Sequence, residues 1–208
     1  MSITLSFVLG LLLWPFTSCL AENAVESSKI EIPSEIVEFL GKPAVLPDSS
    51  WYFIKRIKEK LGDWFSIRKI TEYKRNSDLA KERLAEAYAL IDEGKIEKAK
   101  IAMYEFRKRL DLAGGYLEKL KQTKGGEELI NGFTENTEKF NIFFGKLLES
   151  LPLSEQDEFK EAFKSSDKWL TLARSFKIEA QKKLDQVKDN IYNAGKIKEE
   201  VEKELEKK

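Results

Sequence analysis

The chain has 208 residues, 42% of them hydrophobic and 35% charged, and its 36 basic side chains are balanced by 36 acidic ones. That length supports one domain with a real core, and a balanced charge without a basic block gives no electrostatic reason to expect nucleic-acid binding. His is absent and the single cysteine is Cys19, so the chain beyond its leader cannot build a His/Cys zinc site, a Ser-His-Asp triad, a cysteine nucleophile or a disulfide.

Residues 2–14 are apolar or small, and no charged side chain precedes Glu22. The run reads as a signal-peptide core, broken by Pro15 too soon for a comfortable transmembrane helix. Cys19-Leu20-Ala21 places small residues where a signal peptidase cuts, so residues 1–21 are expected to be a signal peptide or N-terminal anchor. Phe16-Thr17-Ser18-Cys19 makes Cys19 a candidate lipidation site. The expected location is extracytoplasmic: secreted, periplasmic or membrane-anchored.

Residues 22–46 read as an acidic linker containing proline. Over residues 22–48, Glu22, Glu26, Glu31, Glu35, Glu38 and Asp48 face only Lys29 and Lys42, six acids against two bases, a net charge of −4. One short helical turn is expected at 34–40, capped by Ser34. The acids of this linker are expected to cover the basic helix that follows.

That helix starts after Pro47 at Asp48 or Ser49, either of which can cap it, and repeats Trp51, Ile54, Ile57, Leu61 and Trp64 at steps of three and four. Lys55, Arg56, Lys58 and Lys60 fall on or near the other side. One reading is a membrane-surface or glycan-contacting helix, because aromatic residues beside lysines suit an interface. The other is a lid that packs its aromatics on the core and turns its charges to the linker. Trp51, Tyr52, Lys55, Arg56, Lys58, Lys60 and Trp64 form the candidate contact surface.

From Ile70 the repeat Tyr73, Ser77, Ala80, Leu84, Ala87, Ile91 predicts a long helix stopped by Gly94. Ile96, Ala99, Met103, Phe106, Leu110, Ala113, Leu117 and Leu120 predict a second, folded back on the first. The 87–99 stretch resembles a single tetratricopeptide hairpin, but one copy does not make an array. Gly114-Gly115, which costs about 1 kcal/mol per glycine against Ala, should mark a kink or a close helix crossing. Ile130, Phe133, Thr137, Phe140, Phe144, Leu147 and Leu151 predict a third helix ending at Pro152. A fourth, capped by Ser154 in a variant capping box with Asp157, carries Phe159, Phe163, Ser166, Trp169, Ala173, Phe176, Ala180, Leu184 and Val187. At 1.5 Å per residue these helices would be about 40 to 50 Å long.

The predicted fold is all-α: an antiparallel up-down bundle of four long helices over 47–190, preceded by the short amphipathic helix and followed by a charged helical extension over 191–208. Ile197, Val201 and Leu205 punctuate that extension. It is either a solvated helix supported by Glu-Lys pairs or a coiled-coil contact for self-association.

Three groups of residues carry a family resemblance. They are Leu46-Pro47-Asp48-Ser49 with Tyr52 and Lys55-Arg56-Ile57; the run Leu79-Ala80-Lys81-Glu82-Arg83-Leu84-Ala85-Glu86-Ala87 with Gly94-Lys95; and the segment from Thr137 through Pro152 to Ala180. Together they resemble an exported, uncharacterised family of bacteria and some archaea, domain-of-unknown-function family 5667. The chain departs from it at Ser50-Trp51, where a proline often follows the first serine, and at Lys139, where members often carry His. The resemblance implies export and a helical domain without an established activity.

No catalytic, cofactor-binding or metal-binding residue is assigned. Glu82 with Glu86, or Glu199 with Glu202, share a helix face at a spacing suited to a cation, but helices this rich in acids produce such pairs by chance. Di-iron bundles also need a Glu-x-x-His motif that a chain without His cannot supply. Arg83 is expected in a buried-edge salt bridge. The expected function is a non-catalytic interaction or scaffold module, whose partner is an unknown protein, a cell-envelope component or a membrane surface. One alternative is a small periplasmic-type chaperone or stress sensor, which Leu153-Ser154-Glu155-Gln156 faintly echoes; another is a carboxylate-based cation binder or enzyme.

Overall fold

A computed structural model describes residues 30–43, 45–47, 49–65 and 68–205, and the side chains among them except at 63–65 and beyond 200. The expected leader, Cys19 and linker residues 22–29 and 44 lie outside the described residues. Those described form six α-helices and one 3-10 turn, without a strand: α1 Ser34–Leu40, α2 Tyr52–Phe65, α3 Lys69–Asp92, α4 Ile96–Leu120, α5 Gly126–Ser150 and α6 Asp157–Leu205. The protein is all-helical. None of these helices is long and apolar enough to cross a membrane.

α3 packs most extensively on α4, α5 packs on α6, and α4 also lies against α6. The α3–α4 turn closes as the sequence implies. Gly94 takes φ 71°, its N–H bonds to the Ile91 carbonyl at 2.9 Å, and the Lys95 N–H reaches the Leu90 carbonyl at 2.7 Å. Only glycine enters that left-handed conformation without a Cβ penalty, so it ends α3 and reverses the chain. At the α5 end, Leu151 is extended (φ −81°, ψ 142°) ahead of Pro152, as the proline ring requires of its neighbour.

The start of α6 differs from the expected capping box. Pro152 leads into a 3-10 turn at Leu153–Glu155 that absorbs Ser154, and α6 begins at Asp157. Between them, buried Gln156 donates its amide to the carbonyls of Leu148 at 2.9 Å and Leu151 at 2.7 Å, ending α5 rather than starting α6. Ser34 is likewise inside α1, not its cap; the cap position is taken by Pro33. A preceding proline fixes the entry angle there, so no side-chain cap is formed.

The core is aromatic at its centre. Phe106 of α4 lies edge-on to Phe140 at 5.2 Å and beside Phe144 at 5.5 Å, while Phe144 also meets Phe143 at 5.6 Å and Phe163 at 6.1 Å. Tilted and T-shaped contacts of this kind contribute beyond the area they bury. Every residue of the predicted α5 stripe is buried, and so is that of α4 apart from partly covered Ile96. Gly114 is a close crossing: α4 continues through it without a break, and a Cβ there would overlap the Trp169 indole of α6. Trp169 Nε1 donates to Asp111 at 2.6 Å, fixing the ring over that glycine.

The segment expected to be a linker contributes to this core. Ile36 and Leu40 of α1 are buried against α3 and α5, and Phe39 receives the ammonium groups of Lys81 at 4.4 Å and Lys139 at 4.7 Å over its ring. Lys139 thus covers an aromatic side chain at the position where the resemblance favours His. At the other end, α6 continues unbroken past Gly195, and residues 181–200 are exposed on all sides. Leu184, Val187 and Ile191 extend the buried stripe of Ala173 and Phe176 into solvent.

Candidate functional site

α2 is attached to α3 through charges. On α3, Arg83 has no exposed surface, and neither has Glu86 one turn further on. Arg83 Nη1 bonds both carboxylate oxygens of Glu86, at 2.5 and 2.7 Å, and donates to Tyr52 Oη of α2 at 3.0 Å. Its Nη2 pairs with Glu59 of α2. Tyr52 passes the chain of bonds back, donating to Glu86 at 3.3 Å. Lys55 of α2 bridges Glu86 and Glu82, the latter at 2.7 Å. A planar guanidinium suits this position because it can bond two carboxylates and a phenol in one plane, which an ammonium cannot.

Two more arginines complete the attachment. Arg56 reaches Glu59 at 3.3 Å and Glu105 of α4 at 3.1 Å. Arg75 of α3 donates to the Glu59 backbone carbonyl, and its guanidinium lies over Gly62, where a Cβ would make it shift. Among the described residues, Glu59 Oε1 and Arg83 Nε are buried without a hydrogen-bond partner. Each such atom costs about 1–3 kcal/mol, so the cluster fixes geometry more than it adds stability.

The electrostatics follow from this arrangement. Burial pushes the Tyr52 phenol up, and the Glu86 carboxylate pushes it further, to about 12 from an ordinary 10. Burial also disfavours the Arg83 cation, but the charge of Glu86 and the hydrogen bonds that Arg83 donates to Glu86 and Glu59 outweigh it, so its proton is held more tightly than usual.

The orientation of α2 corrects the expectation of a lid with its aromatics on the core. Trp51 is 69% exposed, Phe53 70%, Ile54 54%, Ile57 42% and Leu61 48%. The face turned inward carries Tyr52, Lys55, Arg56 and Glu59 instead. The physical reason lies on α3, whose facing surface presents Glu82, Arg83 and Glu86. Apolar side chains laid there would leave the buried Arg83–Glu86 pair without its partners Glu59 and Lys55 and would cover Glu82 with nothing to pair it, a larger penalty than leaving isoleucines in water. Among the described residues, the carboxylates that pair with Lys55 and Arg56 come from α2, α3 and α4 rather than from the linker; Glu22, Glu26 and Asp48 of the acidic stretch lie outside the described residues. Of the described linker residues, Val45 offers its carbonyl 3.5 Å from Lys55 Nζ.

The structure therefore divides the candidate contact residues. Tyr52, Lys55 and Arg56 are engaged inward; Trp51, Lys58 and Lys60 face outward; the Trp64 side chain lies outside the described residues. Arg83 forms the expected salt bridge, fully buried instead of at an edge. Glu82 and Glu86, whose spacing suits a cation, share the ammonium of Lys55. Among the described residues no group of three or more His, Cys, Asp or Glu is placed to hold a metal ion. An open groove of about 800 Å³ runs beside α2, lined by Val45, Trp51, Ile54, Lys58, Leu79 and Glu82 among others. Glu59 is the residue that sequence reasoning missed. It stands four residues from Lys55 and three from Arg56, opposite the apolar stripe, and that spacing was its signal.

The fold and this site define a helical domain with an ionic seam under an amphipathic helix. The model of the family described as domain of unknown function, DUF5667, matches residues 44–208, and the chain belongs to that family. No curated protein and no solved structure matches the chain.

Proposed function

We propose that the chain is an extracytoplasmic, non-catalytic helical module that works by presenting a contact surface. The observation that supports it best is α2, fastened by its polar side so that Trp51, Phe53, Ile54, Ile57 and Leu61 point into solvent. A helix whose only task was to cover the core would turn that face inward. Among the described residues, Glu59, Glu82, Glu86 and Glu105 are taken up by Arg83, Lys55 and Arg56, which favours holding α2 in place over chemistry. Export is supported by the apolar run at residues 2–14 and by Cys19-Leu20-Ala21. The finer architecture, four long helices running up and down, belongs to the same proposal. It is supported by the short connections between α3 and α4 and between α5 and α6, each pair packing on itself.

Fractionation of cells expressing the full chain tests this reading. The protein should be recovered outside the cytosol, associated with the cell envelope, and substituting Ile54→Ser with Ile57→Ser should release it from that association. Recovery only from cytosol would defeat the export reading, and association indifferent to the two substitutions would defeat the contact-surface reading. The exposed face also favours a second reading, a chaperone for unfolded clients; failure to suppress aggregation of a model client would remove it.

A further inference from the structure

We infer that the outward face of α2 docks on an anionic lipid surface; this rests on the contact-surface reading and names its partner. On a helix of 3.6 residues per turn, Phe53, Ile57 and Leu61 form one row, and Trp51 and Ile54 lie beside it. Lys60 stands one turn beyond Ile57 at one edge of this stripe, and Lys58 one turn beyond Ile54 at the other. Both lysines are exposed, and no acid is exposed among the described side chains of the helix, because Glu59 is turned inward against Arg83. After α2 the chain continues through exposed Arg68, Lys69 and Ile70.

An apolar stripe of aromatic and branched side chains bounded on both edges by lysines matches the boundary between headgroups and acyl chains. The stripe can enter the acyl region while the lysine stems lie along it and their ammonium groups stay at the phosphates. A protein groove would need acids at both edges to pair with those lysines, whereas an anionic bilayer supplies negative charge in every direction. The attachment of α2 suits a flat partner. Long ionic side chains stand between α2 and α3, and the exposed row Phe53, Ile57 and Leu61 does not line the groove beside α2.

The test uses the full purified chain and sedimentation with large vesicles, either phosphatidylcholine alone or an equimolar mixture with phosphatidylglycerol. Binding to the mixed vesicles should exceed binding to phosphatidylcholine and should fall as salt is raised. Each lysine at an anionic surface contributes roughly fivefold to partition, so Lys58→Glu with Lys60→Glu should weaken binding at least about 25-fold. Ile57→Ser with Leu61→Ser should weaken it as well. All four residues are exposed, and circular dichroism of each variant should match the parent. Equal binding to both vesicle types, or binding that both variants leave unchanged, as an apolar leader alone would give, overturns the inference. Envelope association in cells that depends on α2, with no vesicle binding, would overturn the lipid partner and leave the contact-surface reading standing; loss of both would end both.

Discussion

Two neighbouring surfaces of α3 are covered in opposite ways. Where α3 carries Ala80, Leu84 and Ala87, the covering is apolar, and it merges into the aromatic centre of Phe106, Phe140 and Phe144. Where α3 carries Glu82, Arg83 and Glu86, the covering is Tyr52, Lys55 and Glu59. Apolar packing is tolerant, since any side chain of the right size fills the space and gains from leaving water. The ionic seam is not tolerant, because each charge withdrawn from water depends on a named partner. One helix thus meets both kinds of partner, and the ionic side decides which way α2 faces.

Substitutions can separate the two surfaces. The largest effect is expected from Phe144→Ala, which opens a cavity beside Phe106, Phe143 and Phe163 and should cost about 3–5 kcal/mol in urea unfolding. The loss should be global, lowering hydrogen-exchange protection throughout α3 to α6. Arg83→Met should cost somewhat less, about 3 kcal/mol, because Lys55 still faces Glu86 while Glu59 loses its buried partner. Its signature should be local: amides of α2 should exchange far faster than those of α5. Equal acceleration in both would mean that the seam and the core are one cooperative unit.

Tyr52→Phe gives the smallest change, about 1 kcal/mol, because it removes a hydroxyl that both accepts and donates. The pH dependence sharpens the comparison. A folded-state value of about 12 against an ordinary 10 means the fold favours the neutral phenol. Its contribution is therefore complete below the unfolded value and is lost as pH rises through the folded one. The difference in near-ultraviolet tyrosinate absorbance between parent and variant should titrate near 12. Titration near the ordinary value would place Tyr52 in water.

Most of the core was legible in the sequence. Ala99 to Leu120 and Ile130 to Leu151 repeat at steps of three and four, and burial of such a stripe requires only that something apolar be opposite. Gly94 announced its turn for an equally local reason. Three features were not legible. Ser154 looks like a helix cap, but the 3-10 turn after Pro152 uses it first. The acidic composition around α1 suggested a linker, although Ile36 and Leu40 are enough to anchor it. α2 has a well-defined amphipathic period, and periodicity separates two faces without saying which is inward. The deciding information was on α3, in a row of Asn76, Ala80, Arg83, Ala87 and Leu90 at steps of four and three. That spacing places Arg83 among buried residues, and a buried arginine requires carboxylates from whatever covers it.

The orientation of α2 is measured most directly by thiol labelling. In a Cys19→Ser chain, Ile54→Cys, Ile57→Cys and Leu61→Cys should each react with a maleimide at close to the rate seen in denaturant, while Leu110→Cys in the core should be strongly protected. Protection of all three α2 thiols to the level of Leu110→Cys would mean that the apolar face of α2 is turned inward, and the ionic seam would not be what holds the helix.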